Sequence, residues 1–450
     1  MKIAIFRNSF LNLRYNEKMP KIKINKLQKK VSRLATKNRW KKFEKPNLTL
    51  LTLIIVLNIV GLLMIFSSSA VLANSTYKDP FYFLGKQVKL LILGTILATT
   101  LFTFSPKLLK RISIIFLIVG FILLIYLIPQ SIFHLSTPGV ITLNDATRWI
   151  RIPFLFDVQP AEFIKVAIIL FTSFWLTLSK KNTDIINKYI DRYKNSELLH
   201  TLVRLVIYYL PIIIIGIIGV LVLTEKDLST VVVMGLTFIS IYYVGGTRKE
   251  HTRIAIVLII SAIIIGIGAT TLVSYRKDRF NCYLEITLKG EPADKQGPCF
   301  QLWNGMIGVG SGGLFGRGYS ESRQKLFFLQ ETAYTDSIFA VFAEEFGLFG
   351  TILLILAFVY FLSLGFRIAV NSRDKFLGIV AFGITSLICI QAFFNIGANL
   401  AVIPFGGIPL PFISYGGSYT TTTFMLIGIL LNISRDRNSI KFKSNQINTT

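Results

Sequence analysis

Apolar runs of about twenty residues, separated by polar connections, dominate the chain from residue 49 to residue 434. A helix that crosses the hydrocarbon core of a bilayer needs about 20 predominantly apolar residues. The pattern therefore predicts an all-α polytopic integral membrane protein with ten transmembrane helices. The predicted spans are 49–72, 88–104, 112–133, 161–179, 203–224, 228–245, 253–273, 337–364, 376–399 and 416–434.

Positively charged residues are concentrated on one side of these spans. The connections that follow even-numbered spans carry basic groups such as Lys180 with Lys181 and Arg248 with Lys249, and a basic segment, 435–450, follows the last span. Cytoplasmic connections of membrane proteins are enriched in Lys and Arg. We therefore expect both termini in the cytoplasm and the large loop 274–336, between spans seven and eight, on the external face.

Composition supports a membrane protein and decides how the N terminus is interpreted. The 450 residues are 52% hydrophobic and 16% charged, with a net charge of +26. Half of that charge comes from segment 1–46, where fifteen Lys and Arg residues face two Glu residues. Directly before an apolar helix, such a segment is typical of a cytoplasmic tail attracted to anionic membrane lipids, and we expect no nucleic-acid partner. The predicted regions are tail 1–46, membrane domain 47–434 and tail 435–450.

Cysteine and histidine are scarce, with three residues each, and neither shows the spacing of zinc ligands. Cys389 falls inside an apolar span, whereas Cys282 and Cys299 both fall in the loop 274–336. In an oxidising external compartment these two could form a disulfide, worth about 3 kcal/mol for a loop of this size. Two free thiols are the alternative, and the sequence leaves both open.

The loop 274–336 combines many charged residues with a Gly-rich centre at 308–313. Loops of this length are functional or are disordered linkers, and its charge favours a site of chemistry. The centre matches the pattern G-x-G-x-x-G, but no β-α-β pattern surrounds it and the external face offers no nucleotide pool. We therefore expect these glycines to allow close backbone packing and not to bind a dinucleotide.

Several ionisable residues fall inside or beside the predicted spans. Glu162 and Lys165 are three residues apart and so share one helix face. Charges inside a membrane mark a functional site by default, although an ion pair that only locks helix packing is the alternative. Glu344 and Glu345 fall in span eight, and the Pro- and Gly-rich segment 404–417 predicts irregular backbone that is buried or lines a cavity.

The order of these segments resembles a known family. The chain carries, in sequence, Arg148-Trp149-Ile150, Gln159-Pro160-Ala161-Glu162 with Lys165, Asp227-Leu228-Ser229-Thr230, the glycine run 310–316, Tyr334-Thr335-Asp336 and the segment 410–418. Over residues 50–435 it resembles the SEDS family of FtsW and RodA membrane proteins. Residues 342–347 are more similar to FtsW of cyanobacteria and plastids than to RodA.

The resemblance implies a peptidoglycan glycosyltransferase. Such an enzyme polymerises lipid II, a disaccharide-pentapeptide on undecaprenyl pyrophosphate, on the external face of the membrane during cell or plastid division. Implied partners are a class B penicillin-binding protein, which is a transpeptidase, and other division proteins. The implied location is a bacterial cytoplasmic membrane or the inner envelope membrane of a walled plastid. A flippase of the lipid-linked precursor and a non-catalytic division scaffold are the alternatives.

The resemblance also assigns the site. It places the general base for the acceptor hydroxyl on Asp294, although Lys295 stands where the family usually has Pro. A cation beside a carboxylate weakens it as a base, which leaves Glu291 as a rival. Arg148, Lys165 and Lys325 are candidates to neutralise the pyrophosphate, a role that a divalent cation, Mg²⁺ or Mn²⁺, could share. The implied substrate-binding residues are Arg148, Trp149, Glu162, Lys165, Gln301, Ser311, Lys325, Asp336, Glu345 and Ser414.

Overall fold

The computed structural model describes residues 45–143, 146–151, 157–192, 197–246, 253–254, 256–258, 274–404 and 406–447. Most of the predicted seventh span, 253–273, and nearly all of the basic tail 1–46 lie outside this part of the chain. The unit from Pro46 to Thr450 is the one considered below.

Helices form where long apolar runs were predicted. They are, in chain order, α1 (Leu48–Tyr77), α2 (Tyr82–Phe102), α3 (Pro106–Phe133), α4 (Pro160–Arg192), α5 (Glu197–Thr224), α6 (Leu228–Gly245), α7 (Ser274–Lys289), α8 (Phe300–Ser311), α9 (Ile338–Val370), α10 (Lys375–Asn399) and α11 (Gly417–Ile447).

These helices coincide with nine of the ten predicted spans. Among the described residues, seven helices are long and apolar enough to cross a membrane. The part of α5 from Tyr209 to Thr224 is a shorter apolar helix. The total of ten spans and the orientation of the termini stay predictions. The last helix, α11, continues to Ile447 and so includes much of the segment predicted as a tail.

Local sequence explains several of the helix boundaries. At the start of an α-helix the first backbone N–H groups have no partner within the helix, and a polar side chain just before the helix can accept a bond from one of them. Four helices begin in this way, capped by Asn47, Ser105, Asp227 and Asp374. Burial then distinguishes the helices, because α10 and the first part of α4 are mostly enclosed by protein whereas α2 and α3 leave most of their apolar surface exposed.

A small antiparallel sheet corrects the expectation of an all-α protein. Its strands are β1 (Val140–Leu143), β2 (Ala146–Arg151) and β3 (Asp157–Val158), in the order β1-β2-β3. In the sequence, Asn144 and Asp145, two residue types typical of turns, follow a run of β-branched residues at 140–142. The strands are short, so they leave little trace in a pattern dominated by twenty-residue runs.

The loop 274–336 is more ordered than its sequence suggested. It contains α7, α8, a π-helical turn at Lys325–Leu329 and a 3₁₀ turn at Gln330–Thr332. Two of the four glycines in the centre 308–313 pack closely, as predicted: a Cβ atom at Gly312 would overlap the carbonyl oxygen of Ala343, and one at Gly308 would touch Gln324. The other two, Gly310 and Gly313, have open space at that position. The long loop is therefore built onto the helices and is not a solvated linker.

The helix α9 is broken at Gly347, which has φ of 65° and ψ of −166°. The part after the break, 348–370, is 23 residues long and so spans roughly 35 Å, enough to cross a bilayer. Glu344 and Glu345, predicted to lie inside span eight, instead lie on the short part before the break. The backbone at Gly347 packs against that of Gly316, and a Cβ atom at either glycine would overlap the other segment.

Gly347→Ala should destabilise the protein, because Ala does not fit this backbone region and its Cβ atom would overlap Gly316. The backbone alone should cost on the order of 1–3 kcal/mol. A melting curve of the purified protein in detergent measures the effect. Gly310→Ala is the matched control, since nothing lies within 4 Å of a Cβ atom there. Equal melting temperatures for Gly347→Ala and wild type would contradict this account of the break.

Candidate functional site

Asp294 lies on an exposed turn between α7 and α8. Its Oδ1 atom accepts hydrogen bonds from the backbone N–H groups of Gln296 (2.9 Å) and Gly297 (3.0 Å). This arrangement orients the carboxylate through its own backbone. Gly297 leaves room for this carboxylate, because a Cβ atom there would overlap the Asp294 Oδ2 atom and displace it. In the described part of the chain the Oδ2 atom has no hydrogen-bond partner, so it can accept a proton.

Glu291, the alternative candidate for the general base, forms an ion pair with the neighbouring Lys295. Lys295 Nζ lies 2.7 Å from Glu291 Oε2 and 5.2 Å from the centre of the Trp303 ring. The hydrogen bond and charge of Lys295 lower the pKa of Glu291. Lys295, which follows Asp294 in the sequence, therefore pairs with Glu291 and not with Asp294. The Oδ2 atom of Asp294 stays without a hydrogen bond in the described structure.

Glu344 joins the long loop to α9. Its side chain is almost fully buried, and Arg317 Nε lies 3.3 Å from its Oε1 atom. The carboxylate accepts hydrogen bonds from Ser311 Oγ (3.2 Å), Ser322 Oγ (2.6 Å), Arg323 N (3.1 Å) and Gln324 N (3.3 Å). A buried carboxylate is tolerated when donors surround it in this way. The predicted residue Ser311 thus belongs to a cluster around Glu344.

Lys325 and Glu345 form a second buried ion pair beside this cluster. Lys325 Nζ lies 2.7 Å from Glu345 Oε1 and donates to Ser67 Oγ (2.7 Å) and Ser320 Oγ (3.3 Å). Ser67 also donates to Glu345 Oε1 (2.6 Å). The side chains of Lys325 and Glu345 are 2% and 0% exposed, so neither reaches solvent. The pair connects α1, the π-helical turn and α9.

Glu162 and Lys165 form a third buried pair, inside the bundle. Lys165 Nζ lies 2.6 Å from Glu162 Oε1, and both side chains are nearly fully enclosed. Lys165 also lies 5.7 Å from the centre of the Tyr419 ring, and Thr422 Oγ1 lies 3.5 Å from Glu162 Oε2. The pair therefore connects α4 to α11.

Arg148 is held at the turn between α5 and α6. Its Nε atom donates to the carbonyl of Glu225 (3.1 Å) and its Nη2 atom to that of Lys226 (2.7 Å). Trp149 follows it on β2, and successive side chains of a strand point to opposite faces of the sheet. The strand thus separates Arg148 from Trp149, which the sequence placed together as neighbours.

Three other predicted residues converge on segment 335–337. Gln301 Nε2 donates to Ser337 Oγ (3.2 Å), and Ser414 Oγ donates to the carbonyl of Thr335 (2.7 Å). Asp336 is half-buried beside a small cavity whose wall includes Asn395, Asn399, Gly406 and Gly407. The carbonyl of Asp336 accepts bonds from the side-chain amides of Asn395 (2.8 Å) and Asn399 (3.0 Å).

The charge environment of Asp336 gives it an unusual pKa. Burial raises the pKa of Asp336 to about 6, the charges of Arg279 and Arg148 oppose the rise, and that of Asp227 adds to it. Arg148 and Asp227 therefore belong to the surroundings of Asp336. None of the contacts in the described residues joins Asp294 directly to the other predicted site residues.

Glu225 is a functional candidate that the sequence pattern did not reveal. Its side chain is almost fully buried, and neither carboxylate oxygen has a hydrogen-bond partner in the described structure. Burial raises the pKa of Glu225 to about 9, the charge of Asp227 adds to the rise, and that of Arg148 opposes it. A second acidic residue two positions away was the available signal.

No metal centre emerges from these clusters. Across the described residues, no group of three or more His, Cys, Asp or Glu side chains could hold a metal ion. Glu162, Glu344 and Glu345 are instead distributed over separate clusters, each with a cationic partner.

Comparison with known proteins gives consistent results over nearly the whole chain. The sequence pattern of the FtsW/RodA/SpoVE cell cycle proteins matches residues 48–439. Stage V sporulation protein E of Bacillus subtilis (strain 168) is 33% identical over 392 residues, which cover 87% of this chain and 97% of that protein. A probable peptidoglycan glycosyltransferase FtsW of Geobacter metallireducens is 31% identical over 402 residues, 89% of this chain and 98% of its own length.

Solved structures share the fold at lower identity. A chain from a peptidoglycan synthase complex, described as coordinating polymerization and crosslinking, aligns with a TM-score of 0.64 at 20% identity. The alignment covers 87% of this chain and 98% of that one. The rod shape determining protein RodA of Thermus thermophilus, as a D255A mutant in that protein's own numbering, aligns with a TM-score of 0.57 at 20% identity, over 87% and 98% of the two chains.

Lys325→Met should destabilise the protein by about 3–5 kcal/mol, because it leaves the Glu345 charge buried without its cation. Unfolding in detergent measures the loss. The double variant Lys325→Met, Glu345→Gln should recover part of it, since no unpaired charge remains. Lys295→Met is the control: its ion pair with Glu291 is exposed and should contribute about 0–1 kcal/mol. A small loss for Lys325→Met, equal to that of the control, would contradict the role of the pair.

Glu225→Gln should change how stability depends on pH. The folded state keeps a proton on Glu225 up to a pKa of about 9, against 4.5 for an ordinary Glu. Stability that comes from this proton is fully present below pH about 4.5 and is lost as the pH rises to about 9. The variant should therefore lie within about 1 kcal/mol of wild type near pH 5 and exceed it by on the order of 4 kcal/mol near pH 8.

Unfolding in detergent across this pH range gives the comparison. Glu291→Gln serves as control, because Glu291 is exposed and its pKa is lowered, so its removal should not raise stability at alkaline pH. Parallel pH profiles for wild type and Glu225→Gln would contradict the assignment of a buried, protonated Glu225.

Proposed function

The chain belongs to the FtsW/RodA/SpoVE family of cell cycle proteins, and from this we propose that it is a peptidoglycan glycosyltransferase that polymerises lipid II. The relatives named as probable peptidoglycan glycosyltransferases are aligned over almost their whole length. The observation that carries the chemical assignment is the preformed turn of Asp294, which leaves one of its carboxylate oxygens without a hydrogen bond. The neighbouring Glu291 is instead paired with Lys295.

In the proposed reaction Asp294 is the general base. Its Oδ2 atom takes the proton of the acceptor sugar hydroxyl as that oxygen attacks the anomeric carbon of the donor. A glycosidic bond forms, the bond from that carbon to the pyrophosphate oxygen breaks, and undecaprenyl pyrophosphate leaves. A positioned carboxylate in this role contributes a rate factor of about 10² to 10⁴.

Arg148 is the best placed of the three candidate cations to stabilise the departing pyrophosphate. It is only partly buried, and its bonds go to two carbonyl oxygens and to no carboxylate, whereas Lys165 and Lys325 are enclosed in ion pairs. Positioned cations stabilise charge that develops on a leaving group. We assign Lys165 and Lys325 to holding the helices around the substrate. A divalent cation, Mg²⁺ or Mn²⁺, could share the charge, and no protein ligand set is assigned to it.

The proposal includes a location and a partner. The helices support an integral, multi-pass membrane protein, and we propose that the loop 274–336 faces outward, where lipid II is polymerised for division. A class B penicillin-binding protein would crosslink the product, by analogy with the complex whose chain shares this fold. The membrane would be a bacterial cytoplasmic membrane or that of a walled plastid.

A flippase of the lipid-linked precursor is the second candidate. The buried pair of Glu162 and Lys165 favours it, because charges enclosed within a bundle are typical of transport pathways. A flippase needs a sealed bilayer, and the loss of a loop carboxylate should affect it little. The function of a non-catalytic scaffold would likewise not depend on the Asp294 carboxylate.

Asp294→Asn should abolish glycan synthesis, because it removes the base and keeps the shape of the side chain. Purified protein, lipid II and a class B partner in detergent provide the assay, with product length resolved on gels. Glu291→Gln is the matched control, an exposed carboxylate on the same turn, and should retain activity within about threefold. Wild-type glycan synthesis by Asp294→Asn would refute the assignment, and loss in Glu291→Gln alone would transfer it to Glu291.

A further inference from the structure

A disulfide closes the segment that carries Asp294. Cys282, in α7, is bonded to Cys299, the residue before α8, with Cα atoms 5.4 Å apart and a sequence separation of 17. The closed segment therefore holds Asp294, Lys295 and Glu291. The remaining cysteine, Cys389, is a free, buried thiol in α10.

The disulfide lies in a small apolar cluster of its own. Cys282 and Cys299 are 2% and 5% exposed, and they pack with Ile286, Leu302 and Ala401 apart from the main core of the helices. So few buried apolar side chains supply little stabilisation, and small units of this kind usually depend on disulfides. The covalent bond is thus the strongest tie between the segment and α8.

The side-chain hydrogen bond and the ion pair within the closed segment are exposed and weak. The N–H group of Ala293 donates to Glu285 Oε2 (2.9 Å), and the ion pair of Lys295 with Glu291 is about half exposed. Exposed pairs of this kind contribute little to stability. Two further contacts join the turn to α8: the Phe300 N–H group donates to the carbonyl of Gly297 (3.0 Å), and Lys295 Nζ lies 5.2 Å from the centre of the Trp303 ring. Without the disulfide, the turn of Asp294 would keep its local shape and these two contacts, but α7 would lose its covalent bond to the residue before α8, and the turn would be held less firmly.

The helix α8 is itself fixed. A Cβ atom at Gly305 would lie 3.7 Å from that of Ala340, and one at Gly308 would lie 3.6 Å from the Ala340 carbonyl oxygen, so α8 packs closely on α9. Gln301 also bonds to Ser337 at the start of α9. The chain of contacts thus runs from the membrane helices through α8 and the disulfide to the carboxylate. A displacement of about 1 Å in a reacting group can lower a rate roughly a hundredfold.

We propose that the Cys282–Cys299 disulfide is a positioning element for Asp294, so that polymerisation requires the oxidised pair. The inference rests on the proposed function of Asp294. Forming the bond removes two protons and two electrons from the two thiols and passes them to an external disulfide oxidant, which is reduced to its dithiol. A dithiol reductant reverses the step and becomes a disulfide.

The pairing itself is tested by alkylating the unreduced, denatured protein. Mass spectrometry should find one alkylated thiol, Cys389, before reduction and three after it. Three alkylated thiols in the unreduced protein, purified without reductant from an oxidising compartment, would overturn the proposal.

Its consequence is tested by kinetics on the full chain with its partner and lipid II. The double variant Cys282→Ala, Cys299→Ala should lower kcat by about tenfold to a hundredfold and change KM less than about threefold, because the base is misplaced while lipid binding is unaffected. Treating wild type with a dithiol should give the same loss, and reoxidation should restore kcat. Cys389→Ala is the control and should respond as wild type does.

The outcomes separate this inference from the proposed function. Full kcat in the double variant, with Asp294→Asn inactive, would overturn the disulfide inference and leave the polymerase intact. Equal inhibition of the double variant by the dithiol would overturn it as well, since the effect would then not involve this pair. No synthesis by oxidised wild type would overturn the proposed function first. Reversible loss on reduction keeps the test valid even if the double variant folds poorly.

Discussion

Two adjacent buried carboxylates, Glu344 and Glu345, connect the long loop to the membrane helices. Burying such charges is costly unless cations and hydrogen-bond donors surround them. Glu344 is surrounded by Arg317 and by donors from residues 311–324, while Glu345 pairs with Lys325 and Ser67. Both lie just before the break of α9 at Gly347, where the chain changes direction. The packing of α8, and through it the place of Asp294, depends on this arrangement.

The buried ion pairs differ in their surroundings from Asp294, the proposed base. The pairs Glu162–Lys165 and Glu345–Lys325 are enclosed, and each carboxylate is paired with a lysine, so they hold helices together. Asp294 is exposed and keeps a free oxygen. This separation suits an enzyme whose two substrates are large and lipid-linked, because their sugars must reach the base from solvent while their tails stay in the bilayer. Asp294, the proposed base, is accordingly held by a local turn and a disulfide and not by the main core.

Much of the fold follows from the sequence because a bilayer imposes a simple length rule. Apolar runs of about twenty residues located nine of the helices, and the spacing of Glu162 and Lys165 anticipated their pairing. The Pro- and Gly-rich segment around Pro404 to Gly416 is irregular, as its composition predicted. The sheet of β1 to β3 was missed because its strands are short and lie among much longer helical signals.

The remaining features depend on contacts between distant parts of the chain. Ser67 and Glu345 are separated by 278 residues, so no local pattern could reveal that Lys325 is enclosed between them. Glu225 was missed because its burial is created by the surrounding tertiary structure. The preference for Asp294 over Glu291 came from a family resemblance, and the pairing of Lys295 with Glu291 is the physical reason that now supports it.

The central claim is that the chain is a polymerase. The most direct measurement is the release of undecaprenyl pyrophosphate from lipid II by the purified wild-type protein in detergent, with its class B partner. The amount released is compared with the number of new glycosidic bonds between disaccharides. Our account predicts that the two rise together, with one pyrophosphate for each glycosidic bond and no need for a sealed membrane. Absence of release in detergent, with translocation of lipid II in sealed vesicles, would contradict it and favour a flippase.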